Sequence, residues 1–168
     1  NQAMRSNPTL LVPGARSVIS LLLSYKPSQT LSSTPRIAQY AYGDDYHLSV
    51  KQLLFQLIAS IREDYPAFEA KPCVDSVPVS DKQWAVQAGL GWQGKQTLLV
   101  SPRYGSLCFL AELVTPSEVD VYDHPVEDQC GDCRKCVDAC PNQALQISGH
   151  GAYLLADRCT SYNTIENR

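Results

Sequence analysis

CGDCRKCVDACP, running from Cys130 to Pro141, is the stretch that decides how the C-terminal part of this chain folds. Its cysteines follow the spacing C-x2-C-x2-C-x3-C-P, that of bacterial ferredoxin-type iron–sulfur ligation. The two short intervals let Cys130, Cys133 and Cys136 grip three corners of one cubane from a tight loop. Cys140, beyond them, sits where such motifs ligate a different cluster. Thiolates are the soft donors that iron–sulfur bonding favours. Structural zinc sites usually pair two separated C-x2-C units, so the spacing favours iron–sulfur over zinc. The chain has seven cysteines, with Cys73, Cys108 and Cys159 scattered outside the motif. An odd count so distributed is a poor disulfide framework and points to metal or redox chemistry in a reducing compartment. Two cubanes need eight thiolates and the chain offers five if Cys159 joins, so a second cysteine motif is expected downstream of Arg168.

Upstream of the motif, the acidic, proline-containing stretch Pro116 to Glu127 reads as a boundary. Before it, RSVISLLLSY (Arg16 to Tyr25) is a β-branched and leucine-rich run bounded by Pro13-Gly14 and Pro27, the pattern of a buried strand. Lys26 to Pro35 reads as a surface loop. From Ser49 to Tyr65 the apolar residues Val50, Leu53, Leu54, Leu57, Ile58 and Ile61 keep a helical stripe that Pro66 ends. A short strand near Cys73–Val74 and a helix from Ser80 to Ala88, with Ser80 as its N-cap, follow. Gly89 to Lys95 is a glycine-punctuated loop, Thr97–Val100 an apolar run, and Leu107 to Val114 a further strand. Strands alternating with helices predict an α/β layer, α+β and sandwich-like, joined to a ferredoxin-like module. The expected division is residues 1–122 for the cofactor-binding domain and 123–168 for the iron–sulfur module, with chain missing from both ends.

The 168 residues carry 14 Lys and Arg against 17 Asp and Glu, for a net charge of −3. That excludes a wholly basic nucleic-acid coat and leaves only a local patch for such a contact. No apolar run reaches the roughly 18 residues of a membrane helix, and no signal-peptide pattern is present. The expectation is a soluble, cytoplasmic protein without a membrane partner.

GARSVI (Gly14–Ile19), YGDDYH (Tyr42–His47), VDSVPVSDKQWAVQAGLGWQGKQTLLVSP (Val74–Pro102), GSLCFLAEL (Gly105–Leu113), the cysteine module and DRCTSYNTIE (Asp157–Glu166) together resemble epoxyqueuosine reductase. The resemblance runs in order along nearly the whole chain. It implies a cytoplasmic enzyme that completes queuosine synthesis on tRNA with cobalamin and two 4Fe–4S clusters. It also implies a tRNA carrying epoxyqueuosine and an unidentified electron donor as partners. By the same resemblance, Cys130, Cys133 and Cys136 hold the first cluster, and Cys140 and Cys159 contribute to the second. Asp75 matches the family's proton donor. Tyr40, Asp45, Tyr46, His47, Lys95 and Gln96 fall in segments lining the cobalamin pocket, and Arg158, Tyr162 and Asn163 where the family meets tRNA. This chain departs from the family at Ser80-Asp81, Gln96 and Asn163, usually Leu-Glu, Asn and Leu.

The residues alone leave several roles open. Asp75 could donate a proton to a developing alkoxide if an apolar pocket raised its pKa, yet an aspartate in this context also caps a turn. His47 reads as a hydrogen-bonded structural histidine as readily as a ligand. Trp92 beside glycines suits packing or stacking. Lys95 does not sit in the phosphate-loop pattern, and a solvated side chain is its plain reading. Cys73 and Cys108 lie in apolar strand-like contexts that suit buried, inert thiols. Arg134, Lys135, Arg158 and Tyr162 could form a basic, aromatic patch for an anticodon loop, or an ordinary surface. Another corrinoid iron–sulfur reductase, such as a reductive dehalogenase, is the nearest alternative enzyme; a ferredoxin-type electron carrier and a zinc-stabilised binding module are the others.

Overall fold

The computed structural model describes residues 2–29 and 37–167. Part of the expected loop from Lys26 to Pro35 lies outside the described residues.

Helix α1 (Gln2–Ser6) leads into a 3-10 turn at Pro8–Leu10, which Asn7 caps by accepting the Thr9 amide at 3.1 Å. Strands β1 (Ser17–Ser24), β2 (Lys71–Cys73) and β5 (Cys108–Thr115) form the main sheet in the order β1-β5-β2. Both pairings are antiparallel, running from Ser17↔Thr115 to Ser24↔Cys108 and from Lys71↔Val114 to Cys73↔Glu112. The last strand to be made is therefore the central one, and β1 is an edge among the described residues rather than a fully buried strand. The architecture is a mixed helix–sheet one, α+β in its antiparallel pairing.

Successive side chains of a strand point to opposite faces, so β5 serves two cores. Ala111 and Leu113 meet the long helix α2 (Tyr46–Asp64), whose Val50, Leu54 and Ile58 are buried at a four-residue spacing. Leu53, expected in that stripe, is 47% exposed. The helix starts three residues before the expected Ser49, because Asp45 caps it by accepting the His47 amide at 2.9 Å. On the opposite face, Val114 packs with Cys73, Val79, Val18 and Trp84 of helix α3 (Asp81–Gln87). Ser80 occupies the N-cap position of α3 but its hydroxyl makes no cap; Asp81 instead accepts the Lys82 amide at 2.9 Å.

The glycine-punctuated loop becomes a small antiparallel hairpin of β3 (Trp92–Gln93) and β4 (Leu99–Val100), narrower than the expected run. Gly91 permits it, because a Cβ there would collide with the Val100 backbone carbonyl. Pro116 to Glu127 contains no strand or helix, and Tyr122 pins it to β1 through a 3.2 Å contact with the Ser17 hydroxyl. Beyond it, α4 (Lys135–Asp138) carries Cys136. The hairpin of β6 (Leu145–Ser148) and β7 (Gly151–Leu154) then turns the chain back toward Cys159. No helix among the described residues is long and apolar enough to cross a membrane.

Candidate active site

The start of α2 and the turn after β2 bring three of the expected residues together. Asp75 sits at φ +43°, a left-handed conformation that costs energy for a residue with a Cβ. That turn presents its carboxylate to α2, where Oδ2 accepts the Tyr46 hydroxyl at 2.7 Å and lies 3.2 Å from His47 Nε2. Asp45 Oδ1 lies 2.7 Å from His47 Nδ1, so the cap of the helix also fixes the imidazole. The ring of Tyr46 stacks on Phe109 of β5, with centroids 4.3 Å apart and planes within 7°. It stacks on His47 as well, at 4.0 Å.

The electrostatics follow from these contacts. The Asp45 hydrogen bond, aided by Asp75, raises the His47 pKa above its ordinary value against a smaller burial penalty. Reciprocally, the His47 hydrogen bonds hold the Asp45 carboxyl below its ordinary value. Burial, then the Asp75 hydrogen bond, pushes the Tyr46 hydroxyl well above the usual phenol range, so Tyr46 remains a donor. The apolar pocket considered for Asp75 is not what surrounds it. Its side chain is 59% exposed and its partners are a phenol and an imidazole.

A cavity of about 420 Å³ opens beside this group, with Tyr25, Tyr40, Tyr46, Asp75, Cys108 and Phe109 among its lining. Ser161, Ile165 and Glu166, from the C-terminal segment, line it too. Of the residues expected around cobalamin, Tyr40 and Tyr46 face the cavity; Asp45 and His47 stand behind Asp75; Lys95 and Gln96 are not part of its lining. The volume admits a nucleoside-sized ligand. Its stacked aromatic wall fits one face of a planar macrocycle. Cys73 is buried and inert as expected, its thiol pushed up to about 11 by burial, whereas Cys108 is half-buried and reaches the cavity.

Lys95 instead joins the site to the cysteine loop. Its Nζ donates to the carbonyls of Gly131 and, at 2.9 Å, of Cys133. Trp92 on β3 donates its indole N–H to Cys130 Sγ at 3.3 Å. Neither link is visible as a sequence pattern. Gly131 sits at φ +44°, which lets the chain between Cys130 and Cys133 turn tightly. Cys140 Sγ accepts the Ala144 amide at 3.2 Å, and backbone N–H groups, that of Leu145 foremost, hold its thiol below the ordinary value. Hydrogen bonds to sulfur of this kind favour the thiolate that iron requires. Asn142 donates to Thr160 Oγ1 at 2.8 Å and so ties the chain after Cys140 to the chain after Cys159. Among the described residues, no three His, Cys, Asp or Glu side chains converge closely enough to hold a metal ion. The donor chemistry and spacing fit a cluster; the thiols are not gathered around one.

The expected tRNA residues lie nearby on the surface. Tyr162 is 40% exposed, Asn163 Nδ2 donates to the Asp157 carbonyl at 2.9 Å, and Arg158 is exposed. Arg134 of the considered patch is paired with Asp138 at 3.4 Å. One ionisable residue escaped the sequence reading. Glu112, in the middle of β5, is 1% exposed, its Oε1 has no hydrogen-bond partner, and burial followed by Asp81 pushes its carboxyl up to about 8. A single acid inside the apolar run CFLAELV was the available signal.

A family profile described as "Epoxyqueuosine reductase QueG, DUF1730" matches residues 5–76, and a 4Fe-4S binding domain profile matches residues 124–146. An epoxyqueuosine reductase of Cyclobacterium marinum is 43% identical over 166 residues, covering 96% of this chain and 52% of that protein. The structure of epoxyqueuosine reductase from Streptococcus thermophilus superposes with a TM-score of 0.85 at 35% identity, over 98% of this chain and 45% of that one. A crystal structure of an epoxyqueuosine reductase with an epoxyqueuosine-modified tRNA-Tyr stem loop superposes at 0.79 and 34% identity, over 95% and 43%. The chain spans about half the length of the curated relatives it matches.

Proposed function

Because the chain belongs to the epoxyqueuosine reductase family, we propose that it forms the catalytic and iron–sulfur part of an enzyme that reduces epoxyqueuosine to queuosine at the wobble position of tRNA. The observation that carries this reading is the Asp75 carboxylate, held by Tyr46 and His47 at a nucleoside-sized cavity that the Ser161–Glu166 segment helps to wall. A relative that holds an epoxyqueuosine-modified stem loop supports the choice of substrate.

The reaction adds two electrons and two protons to an epoxide and releases water. Cobalamin, when bound, would supply a cobalt centre that engages the epoxide carbon with electrons delivered singly by the 4Fe–4S clusters. Asp75 gives its proton to the oxygen as the carbon–oxygen bond breaks, which is general acid catalysis. Tyr46 and His47 occupy Oδ2, so the proton that Asp75 gives is carried on Oδ1. Tyr40 and Tyr46 offer aromatic faces to the macrocycle, with Asp45, His47, Lys95 and Gln96 in the segments around it. Cys130, Cys133 and Cys136 hold one cluster, and Cys140 and Cys159 contribute to a second. Lys95 and Trp92 keep the cysteine loop against the catalytic part. Arg158, Tyr162 and Asn163 contact the tRNA, and an external electron donor recharges the clusters. Residues 1–122 form the cofactor-binding domain and 123–168 the iron–sulfur module. The compartment is the cytoplasm, where the substrate tRNA resides.

Replacement of Asp75 tests the proton donor. In the full-length gene product, Asp75→Asn retains cobalamin and iron while turnover falls by about 10²–10⁴-fold, the usual contribution of a positioned acid. Turnover at the wild-type rate removes Asp75 from that role.

A further inference from the structure

Glu112 lines a second, smaller cavity on the α3 side of the sheet. Its volume is about 80 Å³ and its walls are Arg5, Cys73, Asp75, Val77, Val79, Asp81 and Glu112. That is room for more than one water, and most of the wall is polar. Glu112 lines a space that it shares with Asp75, and its Oε1 is buried without a hydrogen-bond partner. On the sheet, its registered neighbours are Ser20 on β1, whose hydroxyl also lacks a partner, and Cys73 on β2. The charged and titratable groups facing it are Asp81 from α3, Arg5 from α1, the Cys73 thiol and Asp75 itself. A buried carboxyl with no cationic partner holds its proton at neutral pH, because the charged form has nothing to replace its hydration.

We propose that Glu112 is the proton relay of the site, a buried acid that recharges Asp75 across this cavity after each donation. The inference rests on the function proposed above, in which each deoxygenation consumes two protons while the Asp75 carboxyl carries one. Glu112 gives its proton through cavity water to the Asp75 carboxylate and becomes the anion. It is reprotonated from solvent through the same cavity, whose wall includes the exposed Arg5. Of the two titratable groups bonded to Asp75, Tyr46 holds its proton too tightly to pass it on, and His47 is already engaged at both ring nitrogens by Asp45 and Asp75. Glu112 therefore acts through Asp75 and never meets the substrate.

The test uses full-length protein loaded with cobalamin and clusters, supplied with a chemical reductant and epoxyqueuosine tRNA, with steady-state turnover followed from pH 6 to pH 9.5. Wild-type protein is expected to lose activity as the pH rises through about 8. Glu112→Gln is expected to turn over at least tenfold more slowly at pH 7 and to lack that alkaline limb, in single-turnover as in steady-state conversion, because the second proton of each turnover already needs the relay. Glu112→Asp should restore both part of the rate and the limb, which a packing role would not do. A Glu112→Gln profile that follows the wild type in rate and shape overturns the relay, as does a limb that survives Glu112→Gln and vanishes in His47→Gln. Wild-type protein that leaves the oxygen in place refutes the functional reading and the relay with it; active wild type with an indifferent Glu112 refutes the relay alone.

Discussion

The buried acid on β5 should tie the stability of the fold to pH in a direction opposite to that of an ordinary carboxylate. In the folded chain Glu112 keeps its proton up to about pH 8, whereas in the unfolded chain it loses it near 4.5. Between those values the folded state binds a proton that the unfolded state has released, so stability falls as pH rises and levels off above about 8. Each pH unit inside the window is worth about 1.4 kcal/mol at most. Going from pH 5.5 to 8.5 therefore removes up to roughly 3.5 kcal/mol, and water entering the adjoining cavity brings the expected loss to about 2 kcal/mol. Glu112→Gln keeps the side-chain volume and abolishes the titration. The assay is urea unfolding of the full-length protein and of the variant at both pH values, followed by tryptophan fluorescence. The difference between the two proteins isolates Glu112 from every other titrating group. It should shift in favour of the variant by about 2 kcal/mol between pH 5.5 and 8.5. Parallel pH dependences for the two proteins would refute the reasoning.

Three further outcomes follow from other parts of the structure. Leu54→Ala empties the middle of the α2 stripe, where the side chain is 3% exposed, and should cost about 2–5 kcal/mol in the same urea assay. Gly91→Ala forces a Cβ to within 2.7 Å of the Val100 carbonyl carbon and should cost about 1–3 kcal/mol; a neutral result would mean that β3 and β4 part easily. Asp45→Asn keeps a good N-cap but weakens the hydrogen bond that does most to raise the His47 pKa and removes its charge, so the imidazole should titrate lower by NMR with α2 intact. The sign also reaches stability. His47 stabilises the fold below its unfolded pKa, and that contribution is lost as pH rises through the folded value, so Asp45→Asn weakens the fold mainly on the acid side.

Local pattern explains why some elements were legible in the sequence. The α2 stripe repeats at helical spacing over about three turns, and the cysteine spacing is itself the chemistry, so both could be read from neighbouring residues. Sheet order could not, because Ser17 pairs with Thr115 and nothing within either segment specifies a partner nearly a hundred residues away. For the same reason the antiparallel central position of β5 came only with the structure. Asp75 was picked out by resemblance, but its polar surroundings depend on α2 starting early, which in turn depends on Asp45 as cap. The resemblance puts Lys95 in a loop around the cofactor, and nothing in that loop specifies that its ammonium also reaches the carbonyls of Gly131 and Cys133 some forty residues on. Burial of Glu112 is not legible locally, because an acid in a strand ordinarily faces solvent, and here both faces of β5 are covered.

The most direct measurement is mass spectrometry of nucleosides from epoxyqueuosine tRNA incubated with the full-length gene product. The protein is reconstituted anaerobically with iron, sulfide and cobalamin and given a chemical reductant. Loss of one oxygen from the modified nucleoside, dependent on cobalamin, is the predicted result. Unchanged epoxyqueuosine in the presence of bound cobalamin and complete clusters would contradict it and assign this site to a different substrate.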